Sequence, residues 1–295
     1  MALHDTVSFL SDYGHDDEFV GVVHSVIRGI APDVRVIDLT HGIPAHDTRA
    51  GGLALARAVQ YVAPGVVLAV VDPGVGTPRR AVAVEVGGGA GIFVGPDNGL
   101  LAPAVAMAGG ASRAVELTDP RFHLPAPGPT FAGRDVFAPV AANLCTGVEL
   151  DELGPAVDTA TLLPGVLPVS REEDGGVVAE VLWVDRFGNA QLNIGPDELG
   201  GLRCTLTAGD VRRTATVVPT YGSVPVGGVG LVVDAYGLVS IALDRHSAAS
   251  ELGLDPGTEV RLDPLDAEPA SHTTRLAFPT TRPATTRPAT TEREA

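Results

Sequence analysis

Lysine is absent from this sequence, and all 20 basic residues are arginines. Without a lysine amine, the chain cannot form a catalytic Schiff base, attach pyridoxal phosphate or complete a Walker phosphate-binding loop. The acidic residues outnumber the arginines and give a formal net charge of −16. Because no basic stripe is available to neutralise phosphates, nucleic-acid binding is not expected. A negative surface aids solubility and would also suit a small cationic ligand.

Cysteine and long apolar runs are also scarce. Cys145 and Cys204 are the only cysteines and lie far apart, which supports neither a disulfide framework nor a cysteine zinc site. No histidine or cysteine cluster has the sequence spacing of metal ligands, so no metal is expected. No apolar run reaches the ~18 residues of a membrane span, and the first residues lack the basic start of a signal peptide. These absences predict a soluble, cytoplasmic protein.

The first half of the chain alternates strand and helix patterns. This order predicts an α/β domain with a mostly parallel sheet, covered by helices and joined by right-handed crossovers. The predicted strands span residues 6–10, 34–39, 66–71, 81–86 and 92–94, and the predicted helices span 19–30 and 48–61. Asp12, His41 and Asp72 each follow the end of a strand, which is where open α/β sheets bind ligands.

The second half has a different pattern. Residues 147–174 are rich in proline, glycine and acidic residues and indicate an interdomain connection. Short strand-like runs then predict a small antiparallel β-barrel; they span residues 177–184, 202–206, 214–218, 230–233, 239–243 and 259–262. The predicted division is an α/β domain over 1–150, a linker over 151–176, a barrel domain over 177–265 and a tail over 266–295. Repeats of Thr-Thr-Arg-Pro-Ala in the tail predict disorder, because they offer almost nothing to bury.

Asp72 is the most informative position. It follows the apolar run Val66–Val71 and begins the segment Asp-Pro-Gly-Val-Gly-Thr-Pro-Arg-Arg. The prolines and glycines prevent regular structure and allow a tight turn that approaches a ligand closely. The pattern therefore indicates a central strand that delivers a carboxylate and arginines to a ligand crevice. An isolated Asp-Pro-Gly more often caps a turn, so other motifs have to support this interpretation.

Four further motifs give that support, and they span residues 9–21 (FLSDYGHDDEFVG), 94–101 (VGPDNGLL), 130–142 (TFAGRDVFAPVAA) and 183–189 (WVDRFGN). In this order, from about Thr6 to Leu262, the chain resembles the S-adenosyl-L-methionine (SAM) hydroxide adenosyltransferases, relatives of the fluorinases and chlorinases. The resemblance implies an enzyme that hydrolyses SAM to adenosine and L-methionine by attack of water or hydroxide at the ribose C5′. SAM is then the substrate, and no cofactor is expected. The resemblance also implies a homotrimer with sites between neighbouring subunits.

The resemblance places Asp72 and Arg79 on the catalytic pair that handles water. A carboxylate aims the water, and a guanidinium stabilises hydroxide character as it develops. The same two residues would also suit a salt bridge that stabilises the loop. The halogenases carry an aromatic hydroxyl residue at the position of Asp72, where a carboxylate would repel a halide. Hydrolysis is therefore favoured over the alternative of 5′-halo-5′-deoxyadenosine synthesis.

Substrate contacts implied by the resemblance come from both halves of the chain. Asp12 matches the acid that binds the ribose hydroxyls, although an acid at a helix start would look the same. The remaining contacts, toward the methionine and adenine ends, are Asp17, Asp185, Phe187, Asn189, Tyr221, Arg245 and Ala248. The acids would pair with the ammonium group, the aromatic ring would stack and the amide would pair with the purine edge. Alternatively, the acids are solvated and Phe-Gly-Asn is an ordinary turn.

One position departs from the family pattern. The family's Phe-His-Gly-Arg-Asp reads Phe131-Ala132-Gly133-Arg134-Asp135 here, so the usual third catalytic residue is missing. Folding would have to bring His15, His46 or His123 near to replace it. The loss opens the alternative of a catalytically weak protein that binds SAM or adenosine. Arg134 and Asp135 are predicted to pair at a helix start, and Asp97-Asn98-Gly99 to form a tight turn.

Overall fold

The structure is a computed structural model and describes residues 4–265. Its first sheet has six strands: β1 (Thr6–Ser11), β2 (Arg35–Thr40), β3 (Val66–Val70), β4 (Ala81–Val86), β5 (Gly91–Pro96) and β6 (Ala111–Glu116). They are ordered β2-β1-β3-β5-β4-β6. The first four in this order run parallel, and β4 is antiparallel to both of its neighbours. The predicted α/β domain with a mostly parallel sheet is confirmed.

Helices cover both faces of this sheet: α1 (Phe19–Ile30), α2 (Thr48–Val59), α3 (Ala102–Met107) and α4 (Ala138–Thr146). On one face α1 packs beside α4, and on the other α2 packs beside α3. Phe9 and Phe137 are fully buried in the first of these two cores, and Leu55 and Leu100 in the second. The central strands supply both cores because successive side chains of a strand point to opposite faces.

Local signals determine where the helices near the site begin and end. The Asp47 carboxylate accepts a hydrogen bond of 2.8 Å from the Ala50 amide and thereby caps α2. Helix α4 ends at Gly147, whose φ of +101° is a backbone conformation that glycine adopts without a side-chain clash. A π-helical turn over Gly133–Phe137 leads into α4, and such turns are frequent at functional sites.

The second sheet closes into a barrel. It comprises β7 (Arg171–Glu173), β8 (Gly176–Val184), β9 (Ala190–Leu192), β10 (Arg203–Ala208), β11 (Val211–Val217), β12 (Val229–Val233), β13 (Val239–Leu243) and β14 (Glu259–Pro264). The order β14-β10-β11-β12-β13-β9-β8 is closed by pairing of β14 with β8, and β7 forms a hairpin with β8. A short helix, α5 (Ala248–Leu252), follows β13.

The predicted barrel is confirmed, but its strand directions are mixed. Strands β11 and β12 run parallel. The connection between them contains a 3₁₀ turn over Tyr221–Ser223 instead of a tight hairpin turn, and parallel neighbours require such a longer connection. The barrel encloses its own core, which includes Leu192, Leu206 and Ile241.

The other predicted elements, the linker and the tail agree with the structure to different degrees. Helix α1 has the predicted bounds, whereas β6, β7, β9, α3 and α5 were not predicted, and β7 lies within the predicted linker over 151–176. The connection after α4 contains short 3₁₀ turns and is fastened to the first sheet, because Arg80 donates to the Thr161 hydroxyl at 3.0 Å. The predicted tail, 266–295, lies outside the described residues. Within residues 4–265, no helix is long and apolar enough to cross a membrane.

Candidate active site

The loop after β3 holds a carboxylate and a guanidinium together. Arg79 donates from Nε to Asp72 Oδ1 at 2.8 Å and from Nη2 to Asp72 Oδ2, which makes the pair bidentate. Their side chains are only 15% and 6% exposed, respectively. The Arg79 guanidinium also lies over the Phe137 ring, 5.2 Å from its centre. A bidentate pair in this enclosed position combines strong charge-assisted hydrogen bonds with a fixed geometry.

The turn predicted at Asp97-Asn98-Gly99 is hydrogen-bonded to Val71, the residue that precedes Asp72. The Asn98 amide donates to the Val71 carbonyl at 2.9 Å, and its oxygen accepts from the Leu100 amide at 3.1 Å. Gly99 has a φ of +89°, and a side chain there would meet the Pro164 carbonyl at 2.8 Å. The backbone next to Asp72 is therefore tied to the neighbouring turn.

The loop after β1 brings Asp12 and Tyr13 to the same edge of the sheet. Asp12 accepts a hydrogen bond of 2.9 Å from the His46 amide, which leaves capacity on the carboxylate for ligand hydroxyls. Burial raises the pKa of Tyr13, and the negative charges of Asp12 and Asp72 raise it further. The Tyr13 hydroxyl therefore stays protonated within the electric field of Asp72 and Arg79.

The segment that lacks the family histidine packs against Tyr13. A Cβ atom on Gly133 would lie 2.0 Å from the Tyr13 hydroxyl oxygen, so a larger residue there would force the Tyr13 ring to shift. Ala132, one residue earlier, packs against the core that also contains Tyr13 and Phe131. The predicted ion pair of Arg134 with Asp135 is present at 2.6 Å, at the start of the π-helical turn.

The three candidate replacement histidines take other positions. His15 packs edge-on against His41, with 5.3 Å between ring centres. His46 contacts Asp12 through its backbone and has a φ of +69°. Burial lowers the pKa of His123, whose Nε2 is buried without a hydrogen-bond partner. Within residues 4–265, none of the three forms a hydrogen bond or ion pair with Asp72 or Arg79.

The second set of predicted contacts lies on the barrel, around the turn after β8. Asp185 accepts hydrogen bonds from the Phe187 amide at 2.8 Å, from the Asn189 amide at 2.9 Å and from the Asn189 side chain at 2.8 Å. Its carboxylate therefore shapes the turn. The turn presents Phe187, which is 77% exposed. A Cβ on Gly188 would meet Ser247 Oγ at 2.1 Å, which shows how closely the turn packs on the cap of α5.

The remaining predicted residues vary in exposure. Tyr221 is 42% exposed, and its pKa is raised by burial and by the nearby charges of Asp234 and Asp185. Arg245 extends into solvent from a backbone with a φ of +56°. Ala248 is fully buried at the start of α5, and Asp17 is exposed in the loop before α1.

Within the described part of one chain, no direct polar contact joins the two sets. Among residues 4–265, no hydrogen bond or ion pair connects Asp72, Arg79 or Asp12 to the barrel residues predicted to bind substrate. Helix α2 contacts the barrel, where the guanidinium of Arg57 lies 4.2 Å from the centre of the Trp183 ring. Burial there lowers the pKa of Arg57 to about 10.

Family models cover both parts of the chain. The SAM hydroxide adenosyltransferase N-terminal domain matches residues 7–154, and the C-terminal domain of the same family matches residues 179–261. The chain belongs to this family.

Individual relatives agree with that assignment. An (R)-S-adenosyl-L-methionine hydrolase of Salinispora tropica is 45% identical over 262 residues, which cover 89% of this chain and 99% of the relative. A fluorinase of an Actinoplanes species is 26% identical, and the match covers 86% of this chain and 96% of the fluorinase. The crystal structure of an uncharacterized conserved protein from Thermotoga maritima has a TM-score of 0.80 and 31% identity, over 88% of this chain and 100% of that one.

In this SAM hydroxide adenosyltransferase, sequence reasoning missed Tyr13 and Gly133 as a pair. Tyr13 lies in the motif at residues 9–21, where it directly follows Asp12, and Gly133 lies in the motif at residues 130–142. A glycine next to the missing histidine was a signal of close approach by another group. The identity of that group, a tyrosine 120 positions earlier in the chain, depends on how β1 and α4 pack.

Proposed function

We propose that this protein hydrolyses SAM to adenosine and L-methionine. The observation that carries the proposal is the enclosed, bidentate Asp72–Arg79 pair at the carboxyl edge of the parallel sheet. A hydrolase relative at 45% identity over nearly the whole chain supports the same reaction. That relative's name specifies the (R) epimer, so we extend the proposal to the (R) configuration at sulfur.

The chemistry requires little beyond positioning. Methionine leaves the sulfonium as a neutral thioether, so no general acid is needed, and the enzyme must align water with the C5′–S bond and exclude bulk solvent. Asp72 accepts a hydrogen bond from the water, aims it and takes up its proton as the C5′–O bond forms and the C5′–S bond breaks. Arg79, beside it, stabilises the developing hydroxide character. The neutral Tyr13 hydroxyl lies within the electric field of the same pair.

Halogenation is the competing reaction within the family. A halide would have to lose its water shell next to the Asp72 carboxylate, whose negative charge repels it. A neutral water instead donates a hydrogen bond to the same carboxylate. The greater identity to the hydrolase than to the fluorinase agrees with this argument.

We also propose a cytoplasmic homotrimer whose sites form between subunits. The lack of polar contact between the two residue sets among residues 4–265 supports shared sites, in which the exposed Phe187 and Tyr221 would face a neighbour's Asp12 and Asp72. Two free, buried cysteines, Cys145 and Cys204, agree with a reducing compartment.

The decisive experiment incubates purified protein with the (R) and (S) sulfonium epimers of SAM separately, in chloride buffer prepared with ¹⁸O-water. We expect adenosine carrying ¹⁸O at the 5′ oxygen, together with methionine, and faster turnover of the (R) epimer. Formation of 5′-chloro-5′-deoxyadenosine would show that the protein is a halogenase and not a hydrolase. Tight binding of SAM in calorimetry without either product would instead favour the binding-protein alternative.

A further inference from the structure

Two imidazoles and a carboxylate meet beside the outer edge of the first sheet. His24 lies on α1, Asp38 lies in β2 and His41 follows β2. Asp38 Oδ1 is 2.8 Å from His24 Nε2 and 3.0 Å from His41 Nε2, and one such atom from each residue lies within 4.8 Å of the others. Within residues 4–265, no other three histidine, cysteine or acidic side chains come together in this way.

His41 is the most constrained member of the cluster. Its side chain is 0% exposed, and its Nε2 lies 3.0 Å from Asp38 Oδ1 in an ion pair whose geometry is poor for a hydrogen bond. A buried polar atom with such an incomplete partner is one that an ion or an ordered water commonly satisfies.

The other ring nitrogen of His41 is already bound. Nδ1 is 2.7 Å from the buried Ser11 hydroxyl, at the end of β1. If Nδ1 carries the proton and donates to Ser11, the lone pair of Nε2 points into the cluster. An imidazole that ligates a metal almost always has such a partner on its second nitrogen. The Phe9 ring, 4.6 Å from the His41 ring between centres, packs beside it and limits its movement.

We propose that His24, Asp38 and His41 bind a divalent first-row transition metal cation, a site distinct from the Asp72–Arg79 pair. Two imidazole nitrogens and one carboxylate oxygen are a ligand set that zinc and ferrous iron accept. Ligand atoms about 2.0–2.2 Å from a tetrahedral ion stand roughly 3.3 Å apart, so the cluster has to open by about half an ångström. His24 and Asp38 are 34% and 39% exposed, which leaves a path for the ion and room for water as a further ligand.

The cation would brace a loop instead of taking part in the reaction. The His41 carbonyl accepts a hydrogen bond of 2.8 Å from the Gly14 amide, and Ser11 directly precedes Asp12. Fixing His41 therefore fixes both ends of the Asp12–Gly14 loop. The site predicts metal-dependent stability of the whole protein, whether or not the protein hydrolyses SAM.

The test uses the full chain, stripped with a chelator and dialysed, and titrated with Zn²⁺ by calorimetry. We expect about one Zn²⁺ per chain and a higher melting temperature in its presence. Co²⁺ as a second probe should give the visible absorption bands of a nitrogen- and oxygen-ligated ion. His24→Ala and Asp38→Asn change partly exposed side chains, so they should fold, and each should weaken Zn²⁺ binding by about 100-fold or more.

His246→Ala is the matched control, because His246 pairs with Glu251 at 3.2 Å on the surface of the barrel. This variant should bind Zn²⁺ like the unaltered protein. Ser11→Ala should weaken binding by about 10-fold or more through His41 alone. Failure of the unaltered protein to bind Zn²⁺ or Co²⁺, or equal binding by the His24 and Asp38 variants, would overturn the proposal and leave a cluster held by the His24–Asp38 hydrogen bond and the His41–Asp38 ion pair.

Discussion

At the scale of single residues, Asp72 is the residue on which the proposed chemistry depends. Asp72→Asn keeps the shape of the side chain but removes its charge, so water is no longer oriented by a carboxylate. We expect turnover to fall by about 10² or more, with little change in SAM affinity. Turnover is measured by chromatography of adenosine and affinity by calorimetry.

The matched control for this substitution is Asp119→Asn. Asp119 forms a comparable pair with Arg121, at 2.7 Å, on the surface. The control should leave turnover unchanged. A melting curve is needed as well, because Arg79 loses its enclosed partner and the loop is expected to lose stability. Near-normal turnover of Asp72→Asn would remove Asp72 from the chemistry and leave a purely structural pair.

Gly133 tests the contact between Tyr13 and the segment that lacks the family histidine. Gly133→Ala places a Cβ 2.0 Å from the Tyr13 hydroxyl, so the Tyr13 ring has to move. Overpacking of this kind costs about 1–3 kcal/mol. We expect a folded protein with a lower melting temperature and reduced turnover. Gly128→Ala, where a Cβ meets nothing within 4 Å, is the control and should change neither quantity.

At the scale of elements, the turn Asp185–Asn189 is held by one carboxylate. Asp185→Ala removes the acceptor for three hydrogen bonds and leaves the Phe187 and Asn189 amides without their partner. We expect the Michaelis constant for SAM to rise about 10-fold or more, while turnover at saturation changes less. Asp185→Asn retains one acceptor oxygen and should recover part of the affinity. Equal kinetics for Asp185→Ala and the unaltered protein would show that the turn does not contact substrate.

Sequence patterns predicted the long elements because those elements carry strong periodic signals. Helix α1 and strands β3 and β13 combine apolar periodicity with clear turn residues at their ends. Strand β9 has only three residues, and α3 lies in an alanine-rich stretch next to a glycine pair. Neither element therefore has a periodic apolar pattern stronger than that of the neighbouring residues. The parallel pairing of β11 with β12 depends on the path of the connecting segment, which periodicity does not encode.

The candidate sites differ in the same way. Asp72 and Arg79 are close in sequence within one loop, and the resemblance carried by the other motifs was needed to predict them as a catalytic pair. His24, Asp38 and His41 have no ligand spacing along the chain, and only the packing of α1 beside β2 brings them together. No metal site was therefore expected from the sequence. A cluster of ligands built from separate elements can be predicted only when the packing of those elements against each other is known.

At the scale of the whole molecule, stability should depend on alkaline pH through the two thiols. Burial raises the pKa of Cys145 from 9.0 to about 12 and that of Cys204 from 9.0 to about 11. Above pH 9 the thiols of the unfolded chain ionise while those of the native protein keep their protons. The native state then binds more protons, so its stability is complete below pH 9 and declines as pH rises toward 11–12.

The free energy of unfolding should therefore fall between about pH 9 and 11, at up to about 1.4 kcal/mol per pH unit for each thiol. Urea unfolding at several pH values measures this slope. The variant Cys145→Ala/Cys204→Ala should have a flatter profile, and the difference between the two proteins removes the contributions of other groups. Parallel profiles would exclude the thiols as the cause.

The proposed sharing of sites between subunits can be tested by complementation. Asp72→Asn damages the first half of a site and Asp185→Ala the second, and the two variants are co-expressed and purified together. If each site takes its halves from two chains, random assembly makes about a quarter of the sites intact. Activity at low SAM concentration should then exceed that of either variant alone. Activity no greater than the mean of the two parents would place each site within a single chain.

The turn at Asn98 and Gly99 has a consequence for chemical ageing. An asparagine that precedes glycine is a thermolabile position, because the unhindered glycine nitrogen can attack the side-chain carbonyl carbon. In the folded protein the Asn98 amide is held by Val71 and Leu100, which restrains that attack. Deamidation would place a carboxylate against the Val71 carbonyl, next to Asp72. The rate at which stored enzyme loses activity should therefore follow the fraction of chains that open locally at this turn.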